Sequence, residues 1–417
     1  MKKNIYELKL YKNRKKFTKL DFLMYFFAVL ILLFVNFGGV PSVFAAGESN
    51  TTTIESELTE TVNEQLSGID FNGFQTILDN MSEEQIEIFG ASSFTDKLTK
   101  LLTSDFSSGE TNLVGQVLGL FFDEILAFIP LLATICAIAI LCSFISNLRV
   151  KTNDKSIADI VHFVCFGIVI VVLSASVFQL VNMTRELLSS LQAQMQVIFP
   201  IMLTLLAGLG GVVSVSVYQP MVAVLVSGVM QIFNYVVFPL FICTFVFLIV
   251  GNLSSTIKLN KFISFFKSSF KWVVGTVMTL FFTFLTIQGI SAGSFDGVSV
   301  KTAKYAIKSY VPVVGGYLSD GFNLIMSSSI LIKNAVGVAG LFLLFATIII
   351  PVLKIAIFSL GMKLSSAIIE PISDSRISDF VYTVGKTMGY LVATILCVSF
   401  MYLVAVGLII CTGNAFY

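Results

Sequence analysis

The feature that most constrains this chain is a series of apolar runs of about twenty residues, the length that crosses a hydrocarbon core of about 30 Å at 1.5 Å per residue. Five are uninterrupted, at 125–145, 160–181, 221–250, 272–293 and 388–411, and a sixth, 334–360, contains Lys354. Two more are punctuated: 197–217 by Pro200, Gly208, Gly210 and Gly211, and 310–332 by Pro312, Gly315, Gly316 and Gly321. Lipid cannot satisfy backbone N–H and C=O groups, so segments facing it must be helical, and irregular backbone at that depth must be buried or line water. The expected fold is therefore all-α, a polytopic helical membrane protein with broken or re-entrant helices at the two punctuated runs. A charged content of 12% against 56% hydrophobic residues fits this class, because soluble domains carry about 25% charge.

Charge is segregated along the chain. Residues 1–21 hold eight bases and two acids, and residues 47–112 hold two bases and thirteen acids. This pattern reports membrane topology and excludes a nucleic-acid partner as its cause. A basic opening, an apolar stretch from Phe22 to Val40 and the Val43-Phe44-Ala45 step predict a signal peptide over 1–46, cleaved after Ala45 or Ala46. The nineteen-residue stretch is also long enough to remain as an uncleaved anchor. Residues 47–120 then form an acidic extracytoplasmic region. Phe74, Ile77, Leu78 and Met81 share one helical stripe, and Ser82-Glu83-Glu84-Gln85 is a capping-box pattern that starts a second helix carrying Ile86 and Phe89.

The loop 146–159 carries Arg149, Lys151 and Lys155, and 251–271 carries Lys258, Lys261, Lys267 and Lys271 with no acid, which places both in the cytoplasm. Residues 121–182 then form a transmembrane hairpin, and an odd number of crossings separates residue 182 from residue 251. Pro200 and Pro239 lie 39 residues apart, as do Pro312 and Pro351. Val274-Gly275 with Met278 is matched by Val384-Gly385 with Met388. Two repeat-like units, 183–293 and 294–417, are expected from these spacings, with equivalent bends at Ala207–Tyr218 and Val313–Gly321.

The polar stretch from Ile287 to Pro351 is where function is expected. Lys301, Lys304 and Lys308 lie on one face of a short helix, suited to an anionic solute or to lipid headgroups, or to simple snorkelling at the interface. Asp320, Lys333 and Lys354 are ionisable groups at membrane depth, where such groups usually face a bundle interior or a conduit. The alternatives are an interfacial helix end for Lys333 and an interior salt bridge for Lys354. The sole histidine, His162, begins an apolar run. No carboxylate dyad, metal cage or phosphate-binding loop is visible, so no catalytic residue, metal or cofactor is expected. The six cysteines all lie in apolar runs at no metal-like spacing.

The segments IQGISAGSFDGVSVKTAKYAIKSYVPVVGGYLSDG, LIKNAVGVAGLFLL and IEPISDSRISDF resemble the corresponding segments of the stage III sporulation protein AE family. The resemblance implies a membrane component of a transenvelope, secretion-like channel joining mother cell and engulfed forespore, required for endospore formation. It implies as partners the other stage III sporulation A-operon membrane proteins, a motor ATPase and a forespore protein. It also implies a place in the mother-cell-derived membrane around the forespore, with 47–120 in the intermembrane space. The residues alone equally fit an autonomous solute transporter.

Overall fold

In the computed structural model, the described residues are most of 61–102, then 113–149, 155–253, 259–289, parts of 296–305, 315–371 and 375–414. The signal region, Lys304, Lys308 and Pro312 lie outside them. Every regular element among the described residues is helical. Three short helices come first: α1 (Asn72–Asp79), α2 (Glu83–Phe89) and α3 (Phe94–Leu102). Then come α4 (Leu113–Arg149) and α5 (Lys155–Gly208). Next is α6 (Val212–Ala223), which continues through π-helical turns at Val224–Val229 and Phe233–Val237 into α7 (Phe238–Leu253). The last three are α8 (Asn260–Gly289), α9 (Gly315–Ile369) and α10 (Ser375–Asn414).

The short helices follow from local sequence. The Ser82 side chain accepts from the Gln85 amide, and the Gln85 side chain accepts from the Ser82 amide, completing the capping box. Gly90 ends α2 with a left-handed φ of 76°. Phe74 and Leu78 are buried from α1, Ile88 and Phe89 from α2, and Phe94 and Leu98 from α3, so three apolar edges make one small core. The Phe74 and Phe94 rings stack at 3.6 Å within it.

Among the described residues six helices are long and apolar enough to cross a membrane. Two are far longer than a crossing needs: α5 has 54 residues and α9 has 55, each about 80 Å at 1.5 Å per residue. Pro200 and Pro351 sit inside them without ending them. A proline removes one backbone hydrogen bond, and in a bundle whose neighbours clamp the helix that loss is tolerated. Gly315 and Gly316 open α9 and Gly321 lies within it, so the expected bend at Val313–Gly321 is absent from 315 onward.

The break between α5 and α6 is real. Gly210 adopts φ 84° and Gly211 leaves no room for a side chain, since a Cβ there would stand 2.8 Å from the Leu206 carbonyl oxygen. The chain reverses completely: α6 and α7 run back along α5, with Arg185 over the Phe238 ring and Phe178 against Phe245. The equal proline spacings therefore do not carry an equal helix order. Residues 200–239 include a chain reversal, whereas 315–351 are one unbroken helix.

The core is the α5–α9–α10 bundle. Gly337 lets Ile410 and Met202 close on α9, and Gly340 does the same for Ile198. Midway along the bundle lies a belt of charge. Lys354 Nζ pairs with Glu124 at 3.1 Å, and Gln194 on α5 bonds Thr347 on α9, which brings Arg185 and Glu186 to the same height as Lys354. From the belt α5 continues about thirty residues, roughly 45 Å, to the connection at 150–154, which Arg149 and Lys155 flank. On the other side of the belt it runs through Pro200 to the Gly210 reversal, and there α1–α3 pack against α5 and α9. Gln85 donates to the Thr347 carbonyl, Lys97 sits 4.2 Å over Phe342, and Gly73 abuts Val197.

Candidate functional site

The polar groups at depth gather on the α1–α3 side of the belt, where α5, α6, α9 and α10 meet. Lys333 projects from α9 and is completely buried. Its ammonium donates to the Ile409 carbonyl at 3.1 Å and the Ile410 carbonyl at 2.9 Å, in the last turns of α10. The C-terminal end of a helix carries the negative end of the macrodipole. Ile409 and Ile410 precede the last four residues of α10, so Lys333 adds a further bond to carbonyls near that negative end and ties α9 to α10.

Three further contacts tie the same end together. Gln194 Nε2 donates to the Thr347 hydroxyl at 2.7 Å, and Tyr218 and Thr412 share a 2.6 Å hydroxyl contact. Asp296, 2% exposed, accepts from the amides of Val213 at 3.1 Å and Ser214 at 2.7 Å. This carboxylate satisfies two of the unpaired donors that open α6, directly after the Gly210 reversal. Asp296 thus fixes the α5–α6 turn to the segment that leads into α9. Sequence reasoning fixed on Asp320 and passed over Asp296, whose partners lie 83 and 82 residues away.

Removing the Asp296 carboxylate should cost about 1–2 kcal/mol, the usual penalty for losing a helix cap. Asp296→Asn, which keeps one acceptor oxygen, should cost less than Asp296→Ala. Thermal unfolding of the detergent-purified variants checks this order, and an Asp296→Ala variant as stable as the parent would contradict it.

The other sequence candidates are placed separately. Lys354 forms the belt salt bridge with Glu124. Lys301 lies in a short helical segment and is exposed. Asp320 and His162 are in helices, with side chains outside the described residues. Among the described residues no group of His, Cys, Asp or Glu could hold a metal ion, and Cys136, Cys243, Cys397 and Cys411 are unpaired. What the arrangement does chemically is to hold helix ends rigidly together in an apolar interior. Of the lysines expected in the loop 251–271, Lys261, Lys267 and Lys271 instead ride on α8, and the connection itself is only 254–259.

The residues that build this end of the bundle fall within the span matched by the sequence model of stage III sporulation protein AE, which covers residues 92–413. The chain belongs to the stage III sporulation protein AE family. Stage III sporulation protein AE of Bacillus subtilis (strain 168) is 24% identical over 317 residues, 76% of this chain and 79% of that protein. No solved structure matches. As a member of the stage III sporulation protein AE family, the chain is a multi-pass membrane protein with a role in sporulation.

Proposed function

We propose that this chain is a membrane component of the channel or secretion-like complex that links mother cell and forespore. In this reading it lies in the mother-cell-derived membrane, with its acidic helices in the intermembrane space. The observation that carries the reading is the packing of the acidic helices α1–α3 on one end of the bundle, against α5 and α9. Their exposed acids belong in water, on the side opposite the connection between α4 and α5. A subunit that carries such a cap outside its own membrane is suited to meet partners in a narrow space between two membranes.

Its partners in this reading are the other stage III sporulation A-operon membrane proteins, the motor ATPase of the complex and a forespore protein. Of the broken helices that favoured an autonomous transporter, the one at Gly210 and Gly211 is present, whereas Pro200 and Gly321 lie within continuous helices. Affinity purification of the intact complex from sporulating cells tests the proposal. Co-purification of the operon partners is expected, together with no solute uptake by the purified chain alone in vesicles. A chain that purifies without partners and transports a solute unaided would overturn it.

A further inference from the structure

Lys267 and Lys271 lie on α8, and Lys386 lies on α10, where the two helices are held together by the Phe270 and Tyr390 rings at 4.8 Å. Lys271 and Lys386 each bear electrostatically on Lys267, so the three charges share one locality. Lys271 stands 5.8 Å from the Tyr390 ring centroid. Among the described residues none of the three lysines forms an ion pair. Asp379, two turns nearer the start of α10, pairs with none of them. The height of the group is fixed through α9: Ser359 donates to the Gly385 carbonyl, and Ser359 is five residues from Lys354. The cluster therefore stands within about 10 Å of the charged belt along the bundle axis.

Beside it the surface is apolar and open. Phe265 is 63% exposed and Trp272, next to Lys271, is 72% exposed. Exposed aromatic rings of this kind settle where acyl chains meet headgroups. Three ammonium groups drawn together at the edge of an apolar layer, one of them half-buried, repel one another and call for an anion.

We propose that Lys267, Lys271 and Lys386 bind the phosphate of an anionic phospholipid headgroup, with its acyl chains lying along Phe265 and Trp272. A phosphate ester offers several acceptor oxygens to lysines from two helices at once, and basic pockets between membrane helices take such headgroups. A bound lipid would also bridge α8 to α10 and hold the outermost helix against the core. The inference rests on the apolar bundle spanning the bilayer. Cysteine labelling tests that placement independently of lipid binding, so the two can fail separately.

Trp272 is the sole tryptophan of the chain and stands at the site, so its fluorescence reports the adjoining lipid. The full chain is reconstituted in phosphatidylcholine vesicles, and quenching by brominated phosphatidylglycerol is compared with quenching by brominated phosphatidylcholine. Each lysine near the surface contributes about a fivefold preference for anionic lipid, and the three together on the order of a hundredfold. Preferential quenching by the anionic lipid is expected. It should fall stepwise in Lys386→Gln and vanish in the Lys267→Gln, Lys271→Gln, Lys386→Gln triple variant. The triple arginine variant, which keeps the charge, should retain it and serves as the folding control. Equal quenching by the two lipids, or an unchanged preference in the glutamine triple, would overturn the proposal. Displacement of the lipid by inorganic phosphate would also overturn the headgroup assignment, by showing a site for a free anion.

Discussion

Lys333→Glu is expected to abolish accumulation of the protein in the membrane. The side chain is fully buried and faces the Ile409 and Ile410 carbonyl oxygens at 3.1 and 2.9 Å. Glutamate would replace two charge-assisted hydrogen bonds, about 1.5–3 kcal/mol each, with a carboxylate set against carbonyls at the negative end of α10. An unpaired buried charge adds several kcal/mol more. The sum is comparable to the whole stability of a typical domain, about 5–15 kcal/mol. Lys333→Met loses the two bonds between α9 and α10 but buries no charge, so it should be milder, with a lowered melting temperature and partial accumulation. Immunodetection of membrane fractions and thermal unfolding in detergent measure both. Normal levels of Lys333→Glu would show that the tie between α9 and α10 is not needed.

The second large effect is expected from Gly361→Leu. Gly361 lies on α9 where α4 crosses it, and a Cβ at that position would collide with the Phe128 ring. Phe128 in turn packs edge-on against Phe358 at 5.8 Å, one turn from the Lys354–Glu124 pair. Overpacking of this kind costs about 1–3 kcal/mol, and forcing α4 away from α9 removes the belt salt bridge as well. Because the clash has one identified partner, Gly361→Leu combined with Phe128→Ala should regain at least half of the lost stability. If the second change instead adds to the damage, the crossing is not arranged as described.

These two sites show what the sequence made legible and what it did not. The capping box at Ser82–Gln85 and the stripe of Phe74 and Leu78 involve residues within one or two turns, and the sequence displays them directly. The Gly208–Gly211 reversal was also readable, because only glycine adopts φ 84° without strain. Pro200 misled for the opposite reason. The local rule that proline breaks helices was outweighed there by packing from neighbouring helices, which the sequence does not show. Lys333, Asp296 and Lys354 needed partners 76, 83 and 230 residues away. Lys333 and Lys354 could be flagged as unusual at depth and Asp296 was passed over, and none of the three roles could be read before the helices were placed side by side.

The central claim is that the apolar bundle spans the bilayer while α1–α3, with their acids, cap it outside the cytoplasm. Single cysteines in a background without the six native ones test it most directly, in protoplasts treated with an impermeant maleimide. Thr95 is exposed on α3, and Val171, 69% exposed, lies on α5 within the apolar run 160–181. Thr95→Cys should label from outside, while Val171→Cys, facing lipid, stays unlabelled. A Thr95→Cys variant as protected as Val171→Cys would contradict the account.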